Sequence, residues 1–122
     1  MNRTETMTKA YIEAIYFTDT GDNDQPESDA ELTPLCKAQA FIDCRNFLAA
    51  IGGTYGEPPV HGFDRLDPAQ LGHDLWLTRN GHGTGFWDRD VEVYSHTNAT
   101  LFTRLAKAIG EHDAEFIELE TV

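Results

Sequence analysis

The segment Gly72–Asp90, "GHDLWLTRNGHGTGFWDRD", gathers the side chains of this sequence best suited to chemistry. His73, Asp74, His82 and Asp88 are of the types that hold a divalent metal, offering imidazole nitrogen and carboxylate oxygen as donors. Folded as a hairpin, the segment sets positions flanking its turn opposite one another, so that His73 and Asp88 approach. The four residues would then serve a metal-dependent enzyme or a nucleotide binder. The spacing contains no HExxH and no Cys-His set. Histidine and aspartate beside glycine turns are also ordinary loop residues.

Other chemistries find less support. Gly81, Gly83 and Gly85 resemble part of a phosphate loop, but no GxxxxGK[ST] is present and the run leads into a second strand rather than a helix N-terminus. The serines are Ser28 and Ser95, and no GxSxG elbow surrounds either. Ser95 and His96 are adjacent, which points their side chains apart. Among 21 acids no general acid–base pair can be singled out. The aspartates after Thr18 fail the EF-hand template in both registers tried, from Asp19 and from Asp22. Cys36 and Cys44, two turns apart on a helix, are separated by roughly 12 Å, too far for a disulfide. No catalytic residue and no cofactor is assigned, and binding is favoured over catalysis.

The elements that must position these residues read as follows. A helix fits 7–17, and a strand from Tyr11 to Phe17 fits almost as well. An acidic, mobile loop covers about 19–31. Thr33 followed by Pro34 starts the clearest helix, with Leu35, Ala38, Phe41, Ile42, Arg45 and Leu48 on its stripe, only Arg45 being polar, and with Cys44, Phe47 and Ile51 widening the apolar face. Gly52 and Gly53 end it. Asp67-Pro68 begins a short helical turn through Leu71. "HDLWLTR" alternates as a strand, Asn80-Gly81 turns it, and "TGFWD" returns. Thr97 or Asn98 caps a last helix with Leu101, Leu105, Ala108 and Ile109 inward, and "AEFIELETV" finishes as a strand. The expected fold is α+β: a single domain over 1–122 in which a small antiparallel sheet, the central hairpin plus the C-terminal strand, packs against two or three helices. Trp76 and Trp87 would anchor that sheet, and either one, if exposed, becomes a candidate for binding.

The net charge is −12, and the excess lies at the two ends of the chain. Such a surface repels nucleic acid and anionic membranes and attracts a basic protein surface. The first 21 residues carry acids and no long apolar stretch, so no signal peptide is expected, and no apolar run approaches the length that spans a bilayer.

Gly72, His73, Asp74, Trp76–Gly83 and Gly85–Asp88 together resemble a GHDxWLTRNGHGxGFWD segment shared by a family of small acidic bacteriophage-encoded proteins. The resemblance extends loosely to the "DTGDND", "CKAQAFIDC" and "LAKAIGEHDAEF" stretches. It implies a phage origin and action in the host bacterial cytoplasm, and it brings no catalytic residue with it. With the charge, it leads to a phage accessory protein that acts by binding, as an acidic DNA mimic occupying the basic nucleic-acid site of a host or defence-system protein. Direct contact with nucleic acid or membrane is not expected. The carboxylates standing in for phosphates would be Asp19, Asp22, Asp24, Glu27, Asp29, Glu111, Asp113, Glu115, Glu118 and Glu120.

Overall fold

A computed structural model describes residues 2–18, 30–53, 58–81, 84–110 and 116–118. Four helices carry the fold: α1 (Arg3–Thr18), α2 (Pro34–Ile51), α3 (Pro68–Arg79) and α4 (His96–Ile109). Two single turns of 3-10 helix, Phe63–Arg65 and Phe86–Asp88, lead into α3 and follow it. Residues Ala30–Leu32 (β1) and Phe116–Glu118 (β2) form one short antiparallel ladder, pairing Ala30 with Glu118 and Leu32 with Phe116. The expected α+β architecture is therefore corrected: the layers are helices, the central hairpin is replaced by α3, and the sheet among the described residues is limited to this three-residue ladder.

Each helix starts where local chemistry supplies a cap. The Asn2 side chain accepts the Glu5 N–H at 2.8 Å. Thr33 accepts from Cys36 N at 3.1 Å with Pro34 following, Asp67 accepts from Ala69 N at 2.9 Å with Pro68 following, and Ser95 accepts from Asn98 N at 3.1 Å. These caps satisfy amide donors that the helix itself leaves open. The cap of α4 is Ser95 rather than Thr97 or Asn98.

The central correction concerns α3. The Asp67-Pro68 start continues for twelve residues instead of ending at Leu71, and "HDLWLTR" is helix, not strand. Leu71, Gly72 and every residue from Asp74 to Arg79 are buried. A helix enclosed on nearly all sides shows no polar face, so the 3.6-residue period that identifies helices is missing. Asn80-Gly81 has a second use. Gly81 sits at φ +65° just past the helix, where a left-handed residue ends it. Hairpin turns and helix ends both require positive φ, and the dipeptide alone does not distinguish them.

α1 lies along α3 through Met7, Tyr11, Ala14 and Ile15, spaced i, i+4, i+7 and i+8 on one face. The approach is close at Gly72, where a Cβ would overlap the Met7 carbonyl oxygen and stand 3.0 Å from Tyr11 N. Backbone on both sides cannot yield as a side chain would. Gly72→Ala is expected to cost about 1–3 kcal/mol or more, read from urea midpoints; a variant melting with the parent would show that the two helices can separate freely.

The buried faces of α2 and α4 differ from the expected stripes. α2 buries Cys36, Ala40, Asp43, Cys44, Phe47, Leu48 and Ile51, whereas Leu35, Phe41 and Ile42 are exposed. α4 buries Asn98, Phe102 and Ala106, leaving Leu101 and Ile109 exposed. Phe47, Phe86, Tyr94 and Phe102 pack as one aromatic cluster with centroid separations of 5.4–5.7 Å. Trp76 is 1% exposed and meets the Tyr11 ring edge-on at 5.6 Å, but Trp87 is 47% exposed and anchors no core.

Both cysteines are buried and neither forms a disulfide. Burial pushes the Cys44 thiol from its ordinary 9.0 up to about 12, and raises the Tyr11 and Tyr94 phenols as well. A folded-state pKa above the unfolded one means stabilisation that is complete below the unfolded value and lost as pH rises through the folded one. Stability is expected to be flat up to about pH 9 and then to fall by up to about 1.4 kcal/mol per pH unit for each group titrating. Urea midpoints at pH 8 and pH 10 check this; equal midpoints would contradict it.

Candidate functional site

Asp74 is the most fully built polar position among the described residues. It projects from the second turn of α3 with no solvent exposure, and four side-chain donors close on it. Arg89 approaches with Nε at 3.1 Å from both carboxylate oxygens and Nη2 at 2.6 Å from Oδ1. The Tyr94 hydroxyl donates to Oδ2 at 2.8 Å, and Gln70 Nε2 donates to the same oxygen at 2.9 Å. The hydrogen bond to Asp74 raises Arg89 above its ordinary value, against its partial burial. Burial raises the Tyr94 phenol, reinforced by the Asp74 charge beside it.

His73 stands on the rim of this cluster, half exposed, with Nδ1 3.6 Å from Asp74 Oδ1. That distance is an electrostatic contact rather than a hydrogen bond. The rim opens into a cleft of about 530 Å3 between α1 and α3, lined by Glu13, Phe17, Asp67, Gln70, His73 and Arg89. The size is that of small-molecule sites.

A second buried cluster closes the last turn of α3. Arg79 donates to Asp43 Oδ2 and to the Tyr11 hydroxyl, each at 2.8 Å, and its Nε donates to the Gly110 carbonyl at 2.8 Å. One guanidinium thereby ties α3 to α2, to α1 and to the residue that ends α4. No buried side-chain nitrogen or oxygen among the described residues lacks a hydrogen-bond partner.

Of the four residues with metal-binding chemistry, the three that are described, His73, Asp74 and Asp88, form no metal-holding group. The Asp74 oxygens are occupied by Arg89, Tyr94 and Gln70. Asp88 accepts the Gly85 N–H at 3.1 Å. His73 faces the cleft, and His82 lies outside the described residues. Among the described residues no three His, Cys, Asp or Glu side chains form a group able to hold a metal ion. Ser95 caps α4, so its hydroxyl is engaged as an acceptor. The Arg89–Asp74 pair links α3 to the loop that follows Phe86–Asp88, with the carboxylate fully buried.

No family model, no curated protein and no solved structure matches this chain. The described residues of Gly72–Asp90 have structural roles that can be read one by one. Gly72 admits α1, Asp74 holds Arg89 and Tyr94, Trp76 and Leu77 fill the core, and Arg79 joins four elements. Gly81 ends α3, Phe86 is fully buried, and Thr78 accepts the Phe86 N–H at 3.3 Å. At Gly85 a Cβ would overlap Thr78 Oγ1. These described residues serve the packing, whereas His73 and Trp87 reach the surface.

The proposed phosphate-mimicking acids fall largely elsewhere. Asp19, Asp22, Asp24, Glu27, Asp29, Glu111, Asp113, Glu115 and Glu120 lie outside the described residues, as does the acidic loop up to residue 29. Glu118 is placed by its backbone alone, opposite Ala30. Tyr94, Asp43 and Tyr11 were missed as site builders. An isolated Asp43 within "FIDCRNFL" and Arg79 at the end of an apolar run are the signals that pointed to them: charges in apolar stretches need buried partners.

Proposed function

We propose that this chain is a phage accessory protein that works by binding in the host bacterial cytoplasm. In this reading it is an acidic decoy for the nucleic-acid-binding surface of a host or defence protein. The observation that carries the reading is the segregation of charge. Arg3, Arg79 and Arg89 are spent on Asp64, Asp43 and Asp74. Ten of the 21 acids lie in the segments 19–29 and 111–122, which contain no Lys or Arg. The β1–β2 ladder joins the chain next to the first segment to the chain within the second. No helix among the described residues is long and apolar enough to cross a membrane. The closure of the Asp74 and Arg79 clusters by their own partners also favours binding over catalysis.

Binding of this kind is screened by salt. A protein captured from bacterial lysate at low salt is expected to be released as salt rises, and double-stranded DNA is expected to displace it. Replacing Asp19, Asp22, Asp24, Glu27 and Asp29 by their amides should abolish capture without lowering the melting temperature. A captured protein that resists high salt and still binds DNA while in the complex would overturn the reading.

A further inference from the structure

We propose that the groove between Trp87 and α4 is a binding site for a nucleoside monophosphate, with the base against the indole and the phosphate on Arg104 and Lys107. The site shares no lining residue with the Asp74 cleft. It encloses about 470 Å3, within the range of small-molecule sites. Its floor is one face of α4: His96, Ala99, Thr100, Thr103, Arg104 and Lys107 follow at i, i+3, i+4, i+7, i+8 and i+11. Its wall is the Trp87 indole.

Two independent features make this face a receptor rather than a solvated helix surface. The first is a fixed aromatic plane. Trp87 is half exposed, yet its ring lies against Gly85, where a Cβ would stand only 2.7 Å from the indole Cζ3. The ring is held by a backbone that has room for it only because residue 85 is glycine, so one part of the indole is seated while the remainder faces the groove. Bases stack on such aromatic side chains with little regard to sequence. The second is a pair of cations without a carboxylate partner among the described residues. Arg104 and Lys107 form no ion pair among the described residues, in a chain of net charge −12. Guanidinium and ammonium groups three residues apart on one helix face suit a phosphate, which arginine can take in bidentate fashion.

The hydroxyls refine the ligand class. Thr100 Oγ1 donates to the His96 carbonyl at 3.0 Å and Thr103 Oγ1 to the Ala99 carbonyl at 2.7 Å. Their protons are used, and what they offer the groove is acceptor lone pairs. Those suit the amino group of a base or a ribose hydroxyl, not a phosphate oxygen. Asp88, the carboxylate next in sequence to Trp87, is engaged by the Gly85 N–H.

The test follows the two indole N–H resonances in proton–nitrogen spectra of the intact chain as adenosine 5′-monophosphate is added, with adenosine and inorganic phosphate as separate titrations. The expected result is a saturable shift of the Trp87 resonance with the buried Trp76 resonance unmoved. Adenosine alone and phosphate alone should each bind at least about tenfold more weakly. Arg104→Ala with Lys107→Ala should weaken the nucleotide to the level of adenosine, and Trp87→Ala should weaken it to the level of phosphate, both variants melting with the parent. A Trp87 resonance unmoved by millimolar nucleotide overturns the proposal. So does equal binding of nucleotide and adenosine, and so does unchanged nucleotide binding in the double variant.

Discussion

Replacing Asp74 with alanine is expected to destabilise the protein by about 3–5 kcal/mol, the cost of breaking a buried ion pair from one side. The carboxylate is fully buried, and its loss strands three groups at once. Arg89 loses its bidentate acceptor, the Tyr94 hydroxyl loses the oxygen at 2.8 Å, and Gln70 loses its own. Tyr94 also belongs to the aromatic cluster, so its displacement would loosen Phe86 and Phe102. Asp74→Asn should cost less, because the amide keeps one acceptor oxygen. Arg89→Met combined with Asp74→Leu should recover part of the loss by removing both charges. Urea denaturation of the three variants measures this series. A loss below about 1 kcal/mol for the alanine variant would mean that Arg89 and Tyr94 find water in its place.

Trp76→Ala is expected to cost a similar amount, about 3–5 kcal/mol, through the cavity left by a large core aromatic. Trp87→Ala should stay within about 1 kcal/mol of the parent, since half its surface already meets solvent. The pair makes a sharp comparison, because a hairpin would have given both tryptophans equal structural weight. Helix α3 turns Trp76 inward against Tyr11, and the turn after Gly85 leaves Trp87 at the surface. Fluorescence offers a second reading: the emission remaining in Trp87→Ala should be that of a buried indole. Equal destabilisation by the two substitutions would contradict the placement of Trp87.

Much of the local structure was legible from short-range chemistry. Thr33-Pro34 and Asp67-Pro68 marked helix starts because the cap and the proline act within one turn. Gly52 marked an end for the same reason. The separation of Cys36 and Cys44 followed from helix rise alone. The charge segregation needed no fold at all, being a property of where Lys and Arg are missing.

Only the tertiary structure decided that "HDLWLTR" is helix and which faces of α2 and α4 are buried. Alternating Leu75 and Leu77 suggested a strand because Trp76 and Thr78 were assigned to an opposite face. In the folded chain all four are buried, since α3 is surrounded by α1, α4 and the turn at Phe86. Periodicity reports a boundary between core and solvent, and an element without that boundary carries no period. On α2 the stripe through Leu35, Phe41 and Ile42 was as apolar as the one that won. Asp43 tipped the choice, because burying it gives Arg79 an acceptor that no apolar face supplies. Ion pairs such as Arg79–Asp43 and Arg89–Asp74 join residues 36 and 15 positions apart, and nothing within a helical turn of either partner specifies the other.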